Sequence, residues 1–278
     1  MIWSRLMTVA SCIDSSWGAR RYGKLRLVRY YFDLTTNLVA RDIKFRYKGS
    51  FLGLFWSLLN PMALIAIYSF LFTRVLPLDI PDYVPFLAAG VLPWNCFAAS
   101  LDFSADALLA NRDLIKKAVF PNEMLLVASI TSNLLILALG IPVLLVFLIA
   151  SGIPFTPAML LLPAIIALQL TFTLGLALIV STLNVYLRDT RHLLGVALFA
   201  WFFLTPVFYD HKAVPAAYQS LYSANPMARL IDGYRDVLLF GRVPDGTLMG
   251  QLALASAVVL VCGLAVFGRY KSSFPEEL

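Results

Sequence analysis

Apolar residues gather into six blocks along this chain, near residues 51–76, 85–110, 124–150, 158–183, 193–210 and 248–268. A helix needs about 20 such residues to cross the ~30 Å hydrocarbon layer of a bilayer. Lipid offers no hydrogen-bond partner, so the backbone inside each block must satisfy itself, as a helix does. The pattern predicts an all-α integral membrane protein with six transmembrane helices. The fifth block, LLGVALFAWFFLTPVFY, is short but strongly apolar.

Three mixed segments punctuate the blocks. In LRLVRYYFDLTTNLVARDIKFRY, Leu27, Val28, Tyr31, Leu34, Leu38 and Val39 recur at helical spacing, while Arg26, Arg29, Asp33, Arg41 and Lys44 take other faces. That spacing predicts an amphipathic helix over 25–48 lying in the membrane interface. A cytoplasmic helix packed on a partner would carry the same pattern. Residues 1–24 form an N-terminal extension without an assigned role. Between the second and third blocks, NRDLIKKAVFPNEM sets Leu114, Ile115, Val119 and Phe120 among Arg112, Lys116 and Lys117. It reads as a short amphipathic helix ended by Pro121, suited to a membrane surface or to a groove in a partner. Between the fifth and sixth blocks, 211–240 is too polar to span and too apolar for a plain linker. It reads as two short re-entrant or interfacial helices, 216–222 and 226–240, split at Asn225-Pro226.

The first block has a break of its own. Pro61 has no N–H, so the Ser57 carbonyl loses its helical partner and a kink is expected there. Asn60 is polar at membrane depth and is expected to face protein or water. Gly49-x-x-x-Gly53 offers a close helix contact.

Composition supports the membrane reading. The chain is 60% hydrophobic and 14% charged, with a mean hydropathy of +0.80. A soluble domain carries about a quarter charged residues. The net charge of +6 does not point to nucleic acid, because ten of the 22 Lys and Arg fall in residues 1–50. With both termini inside, the segments 1–50, 111–123, 184–192 and 269–278 hold seventeen of the 22. Arg74, Lys212, Arg229, Arg235 and Arg242 remain outside. Basic residues concentrate on the cytoplasmic side, so both termini read as cytoplasmic and 269–278 as a cytoplasmic tail.

Candidate chemistry is sparse. Cys12, Cys96 and Cys262 have no disulfide or metal spacing. Val9-Ala10-Ser11-Cys12 resembles a lipoprotein cleavage box, but the apolar run before it is too short. Gly18 to Lys24 fits G-x-x-x-x-G-K, yet Leu25 stands where a Mg²⁺-binding hydroxyl belongs. Asp102 and Asp106 lie one turn apart, and His192 and His211 are single, so neither a relay nor a catalytic set emerges. The chain is expected to be no enzyme and to bind no metal, cofactor or nucleic acid.

Four motifs, RYKGSFLGLFWSLLNPM, LIKKAVFPNEML, LNVYLRDTRHLL with its following TPVFY, and NPMARLIDGYRDVLL, occur in this order. Together they resemble the membrane subunit of ABC-2 type exporters of polysaccharides and polyol phosphates, which export O-antigen, capsule and teichoic acid chains. The resemblance covers about residues 30–270. It implies a six-helix transmembrane domain over 49–268 in a bacterial cytoplasmic (inner) membrane. It implies a homodimer with two copies of a separate ATPase, which carries the ATP and Mg. It implies a coupling helix over 111–121, with Leu114, Ile115, Lys116, Phe120 and Pro121 toward that ATPase. It implies outer gate helices over 211–240, with Asn225, Pro226, Tyr234 and Arg235, and an aromatic-lined conduit. Trp56, Asn60, Tyr68 and Trp201 are the conduit candidates; lipid contact or core packing is the ordinary alternative for the aromatics. Arg41, Lys44, Arg46 and Lys48 are expected to steer the headgroup of a lipid-linked polysaccharide, although inner-leaflet anchoring explains them as well. An ABC-2 exporter of a drug or small lipid is the nearest alternative. A membrane-embedded glycan enzyme is a further one, against which stands the lack of paired carboxylates in a loop.

Overall fold

A computed structural model describes residues 24–50, 53, 55–117, 121–211 and 214–278. Phe120, the cysteine box and almost all of the Gly18–Lys24 loop lie outside the described residues. Those residues are helical throughout their regular structure. In chain order they form α1 (Lys24–Arg46), α2 (Phe55–Phe70), α3 (Tyr83–Ala110), α4 (Arg112–Lys117), α5 (Glu123–Ala150) and α6 (Leu162–Tyr186). Then follow α7 (Thr190–Leu204), α8 (Gln219–Ala224), α9 (Pro226–Leu238), α10 (Gly246–Tyr270) and α11 (Phe274–Glu277). α2 widens into a π-type turn over Leu71–Val75, and a 3-10 turn over Pro157–Leu161 leads into α6.

Among the described residues five segments are long and apolar enough to cross a membrane: Phe55–Val75, Tyr83–Ala110, Glu123–Ala150, Pro157–Tyr186 and Gly246–Tyr270. α7 has 15 residues, a rise of only about 22 Å. Six spans were expected, the fifth of them short, and the helix of that block ends early for a local reason. Pro206 disfavours helical geometry at the residue before it, and Thr205 turns to φ −108°, ψ 135°. The rest of that block, Thr205–Tyr209, is not helical. It nevertheless continues along α3. Arg191, at the start of α7, pairs with Asp106 near the end of α3, and Tyr83 Oη, at the start of α3, donates to the Phe208 carbonyl at 2.8 Å.

α3 is the axis of the bundle, buried over most of its length and packed against α2, α5, α6, α7 and α9. α2 is the opposite case: only Pro61 and Ile65 are buried in it. α6 and α10 make the closest crossing. A Cβ on Gly175 would lie 2.6 Å from the Leu260 nitrogen, and one on Gly263 would run into the Gly175 carbonyl. Small residues let two backbones touch in this way. The glycines expected to do this, Gly49 and Gly53, instead precede α2 in left-handed turns (φ 79° and 49°) with open space around them.

A second apolar cluster closes one end of the bundle. Leu38 and Val39 of α1, Leu108, Ile115, Leu125, Leu126, Phe267 and Phe274 meet there. The amphipathic helix therefore forms, but part of its apolar face is covered by this chain, while Phe32 and Phe45 stay exposed. Phe274 of the tail is fully buried against Phe267, ring centroids 5.2 Å apart, and Lys271 pairs with Glu123 at 3.3 Å. α1 and α11 thus sit at the same end as the α3–α5 loop.

The glycine crossing yields a prediction. Gly175→Leu should prevent α6 and α10 from closing and cost at least the ~1–3 kcal/mol of overpacking. Gly268→Leu, on α10 with nothing within 4 Å, should leave stability nearly unchanged. Thermal melting and size-exclusion profiles of the two detergent-purified variants check this.

Candidate functional site

The non-helical run after α7 needs donors for its carbonyls. Pro206 and Val207 find them in Arg235 of α9, whose Nη1 and Nη2 donate to their oxygens, each at 2.7 Å. Its Nε reaches the Phe86 carbonyl at 3.4 Å, and the guanidinium lies 3.6 Å over the Phe86 ring. Asp232, one turn back, is 4.0 Å away. A planar fork with fixed donors suits two adjacent carbonyls better than an ammonium does. Arg235 is only 2% exposed, and burial lowers its pKa to about 10, which leaves it cationic at neutral pH. Gly90 completes the fit: a Cβ there would stand 2.7 Å from the Val207 oxygen.

Asn225 ties the same region from the other side. Its Oδ1 caps α9 by accepting from the Met227 N–H at 3.0 Å and also accepts from Trp201 Nε1 at 2.9 Å. Its Nδ2 donates to Thr205 Oγ1 at 2.9 Å. Pro226 follows at the first helical position, where its missing N–H costs nothing. Tyr234 Oη donates to Gln169 Oε1 at 2.7 Å, and Gln169 Nε2 donates to the Pro93 carbonyl at 2.9 Å. The Tyr209 and Tyr222 hydroxyls meet at 2.5 Å and hold α8 to the extended run. Asn225, Pro226, Tyr234 and Arg235 therefore come together around the end of α7, and Tyr234 and Arg235 are buried there as supports.

A groove runs beside α2. One hollow of about 300 Å³ is walled by Leu64, Tyr68, Trp94, Leu198 and Phe202. A second, of about 270 Å³, is walled by Arg46, Tyr47, Trp56, Phe103 and Asn133. Asn60, Pro61 and Asn95 line both, so the two meet there. Trp56, Asn60 and Tyr68 thus share one surface. Trp201 does not. Its indole packs edge-on against Trp94, Phe97 and Phe172, with centroids 6.3, 5.3 and 6.3 Å away, and its N–H is spent on Asn225. Core packing explains it.

The four basic candidates divide. Arg46 donates to Asn133 Oδ1 at 2.9 Å, pairs with Asp42 at 2.6 Å and covers the Phe103 ring at 3.5 Å. Arg41 donates to Asn111 Oδ1 at 2.5 Å. Both are held by their own chain. Lys44 and Lys48 are exposed. In α4, Ile115 is buried in the chain's own core with Leu114 packed beside it. The coupling segment was expected over 111–121; among its described residues Arg112, Asp113, Lys116 and Lys117 are exposed and Pro121 is half-buried, while Phe120 lies outside them.

Polar residues inside or at the edge of the apolar blocks escaped sequence reasoning. Gln169, Asn133 and Asn184 are buried, and Asn184 Nδ2 donates to the Ala105 carbonyl at 2.9 Å and to Asp106 at 3.3 Å. A single amide in an apolar run was the available signal. Asp106 is explained by Arg191 and Asn184.

The chain belongs to the ABC-2 type transporter family, whose model matches residues 34–239. This places it among membrane transport subunits and agrees with the resemblance read from its motifs. It is 36% identical over 259 residues to the O-antigen export system permease protein RfbA of Myxococcus xanthus, covering 91% of this chain and 100% of that protein. The corresponding Klebsiella pneumoniae permease is 34% identical, over 90% of this chain and 96% of its own length. The polysialic acid transport protein KpsM of Escherichia coli is 24% identical, over 83% and 90% respectively.

Arg235→Met should leave the Pro206 and Val207 carbonyls without donors, each lost partner costing about 1–3 kcal/mol. Arg235→Lys keeps the charge but cannot serve both oxygens, so it should recover only part of the loss. Melting temperature of the purified variants reports both effects.

Proposed function

We propose that this chain is the permease subunit of an ATP-driven exporter that moves a polysaccharide, O-antigen in type and lipid-linked, across a bacterial inner membrane. The observation that carries this is the similarity of about nine-tenths of the chain to permeases named for O-antigen export. A drug or small-lipid exporter would not be expected to match polysaccharide carriers along its whole length. In this reading α7 with Thr205–Phe208 is the fifth crossing and brings the number to six, α8 and α9 are the outer gate, and both termini are cytoplasmic. Two copies of the chain work with two ATPase subunits, which hold the ATP and Mg.

The residues then take roles that fit their chemistry. A sliding chain needs contacts that are weak and repeated, and ring faces beside an apolar groove supply them. Trp56 and Tyr68 are placed for that. Lys44 and Lys48 are the cations left to meet an anionic headgroup at the inner surface, with Arg41 and Arg46 fixing the helix that carries them. Leu114, Ile115 and Pro121 hold the coupling segment on the bundle, and Lys116 and Lys117 face the ATPase.

Deleting the gene should abolish surface glycan and leave it inside the cell, and the intact gene should restore export. Unchanged surface glycan in the deletion would reject the reading. Topology has its own test: a cysteine at Gly246 should react with an impermeant thiol reagent from outside, and one at Asn122 should not. Lys116→Glu with Lys117→Glu should reduce ATPase co-purification several-fold while the permease stays folded. Full co-purification and export would remove the coupling role.

A further inference from the structure

The amides of the long helices fall into two groups. Asn133, Gln169, Asn184 and Gln251 are each hydrogen-bonded within the chain. Asn60 and Asn95 make no hydrogen bond among the described residues. Asn95 lies near the middle of α3 and Asn60 beside Pro61 in α2, so both stand at membrane depth, where an unpaired amide is costly. Both open onto the point where the two hollows join. An apolar cargo or lipid tail would leave them unsatisfied.

We infer that Asn60 and Asn95 form a paired carboxamide site that hydrogen-bonds the hydroxyl groups of a sugar unit passing along the groove, an inference that rests on the polysaccharide-export reading. A carboxamide offers an N–H₂ donor and a carbonyl acceptor. A hydroxyl both donates and accepts, so each amide can engage it either way as the chain advances. The surroundings suit a sugar. Trp56 and Tyr47 stand on one side of the junction and Tyr68, Trp94 and Phe202 on the other, which gives ring faces for the C–H side of a pyranose while the amides read its hydroxyl edge. The first hollow, about 300 Å³, stands at the lower end of small-ligand pocket sizes (roughly 300–1,000 Å³), and the second, about 270 Å³, lies just below it. Neither amide is needed for the fold: Asn60 is exposed and Asn95 only half-buried.

The test uses the complete transporter in cells. A photo-crosslinking phenylalanine at Ala99, one turn from Asn95 and on the wall of the second hollow, should capture glycan after irradiation. The same residue at Val261, exposed on α10, should not. Asn60→Leu and Asn95→Leu should each slow the appearance of surface glycan several-fold, with glycan retained inside. Asn95→Ser, which keeps a hydroxyl, should restore part of the rate. Permease level, melting temperature and ATPase co-purification should be unmoved in all three. Wild-type export by both leucine variants would overturn the inference. So would an Ala99 adduct that contains a second copy of the chain and no glycan, since the amides would then belong to a dimer contact. Either failure leaves the export reading intact, because that stands on the deletion phenotype.

Discussion

One end of this molecule depends on one guanidinium. Thr205 to Phe208 leave the helix beside the buried face of α3, and buried backbone carbonyls need protein donors. Arg235 supplies two at 2.7 Å. Burying a cation is costly unless its charge is met, and one carboxylate at 4.0 Å meets it only in part. The carbonyl dipoles and the Phe86 face supply the remainder. The arrangement is mutual: the unwound backbone neutralises the arginine, and the arginine makes the unwinding tolerable.

Other features follow from that pairing. α7 can stop at Leu204 and the run after it still reaches Tyr83 at the start of α3. α9 is fixed beneath the run, so Asn225 can cap α9 and tie down Trp201 and Thr205 together. Tyr234, one residue from Arg235, hands the connection on to Gln169 and thence to the Pro93 carbonyl. Around these polar links lies a continuous aromatic packing, with Phe208 5.7 Å from both Tyr68 and Phe72 and Trp201 5.3 Å from Phe97. Such contacts add modestly beyond area burial, roughly 0.5–1.5 kcal/mol for a pair. Together they join α2, α3, α7 and the extended run at this end.

The sequence made the helical membrane architecture legible because apolar run length is a strong signal. It also marked two short helices in 211–240, through Asn225-Pro226 and the mixed polarity there, and α8 and α9 lie on either side of that break. Two kinds of feature stayed hidden. The first is which face of a helix its own chain covers: periodicity marked the apolar side of α4 but could not say that Ile115 packs beside Leu38 and Phe274. The second is long-range polar pairing. Arg46 with Asn133 and Arg235 with Pro206 join residues far apart in the chain, and no local pattern encodes them. Trp201 shows the same limit, since an indole that packs and one that lines a groove look alike in sequence. Block five was misjudged in length because composition alone counted TPVFY as helix, whereas the proline rule at Thr205 was available to shorten it.

The distribution of fixed and unfixed groups carries the remaining argument. α3 is tied at one end to α7 through Asp106 and Arg191 and at the other to α9 through Phe86 and Arg235. It is a helix with both ends anchored and most of its side chains buried. α2 lies along it with few buried residues and is held at its far end by the Tyr68 and Phe72 rings against Phe202 and Phe208. The groove is thus bounded by one deeply buried wall and one largely exposed wall. Asn95 stands on the first and Asn60 on the second, so the separation of the two amides is set by how α2 sits against α3. No residue of α2 takes part in the hydrogen bonds that hold Pro206 and Val207, so α2 and its π-type turn meet the clamped run through ring contacts alone, Tyr68 and Phe72 against Phe208.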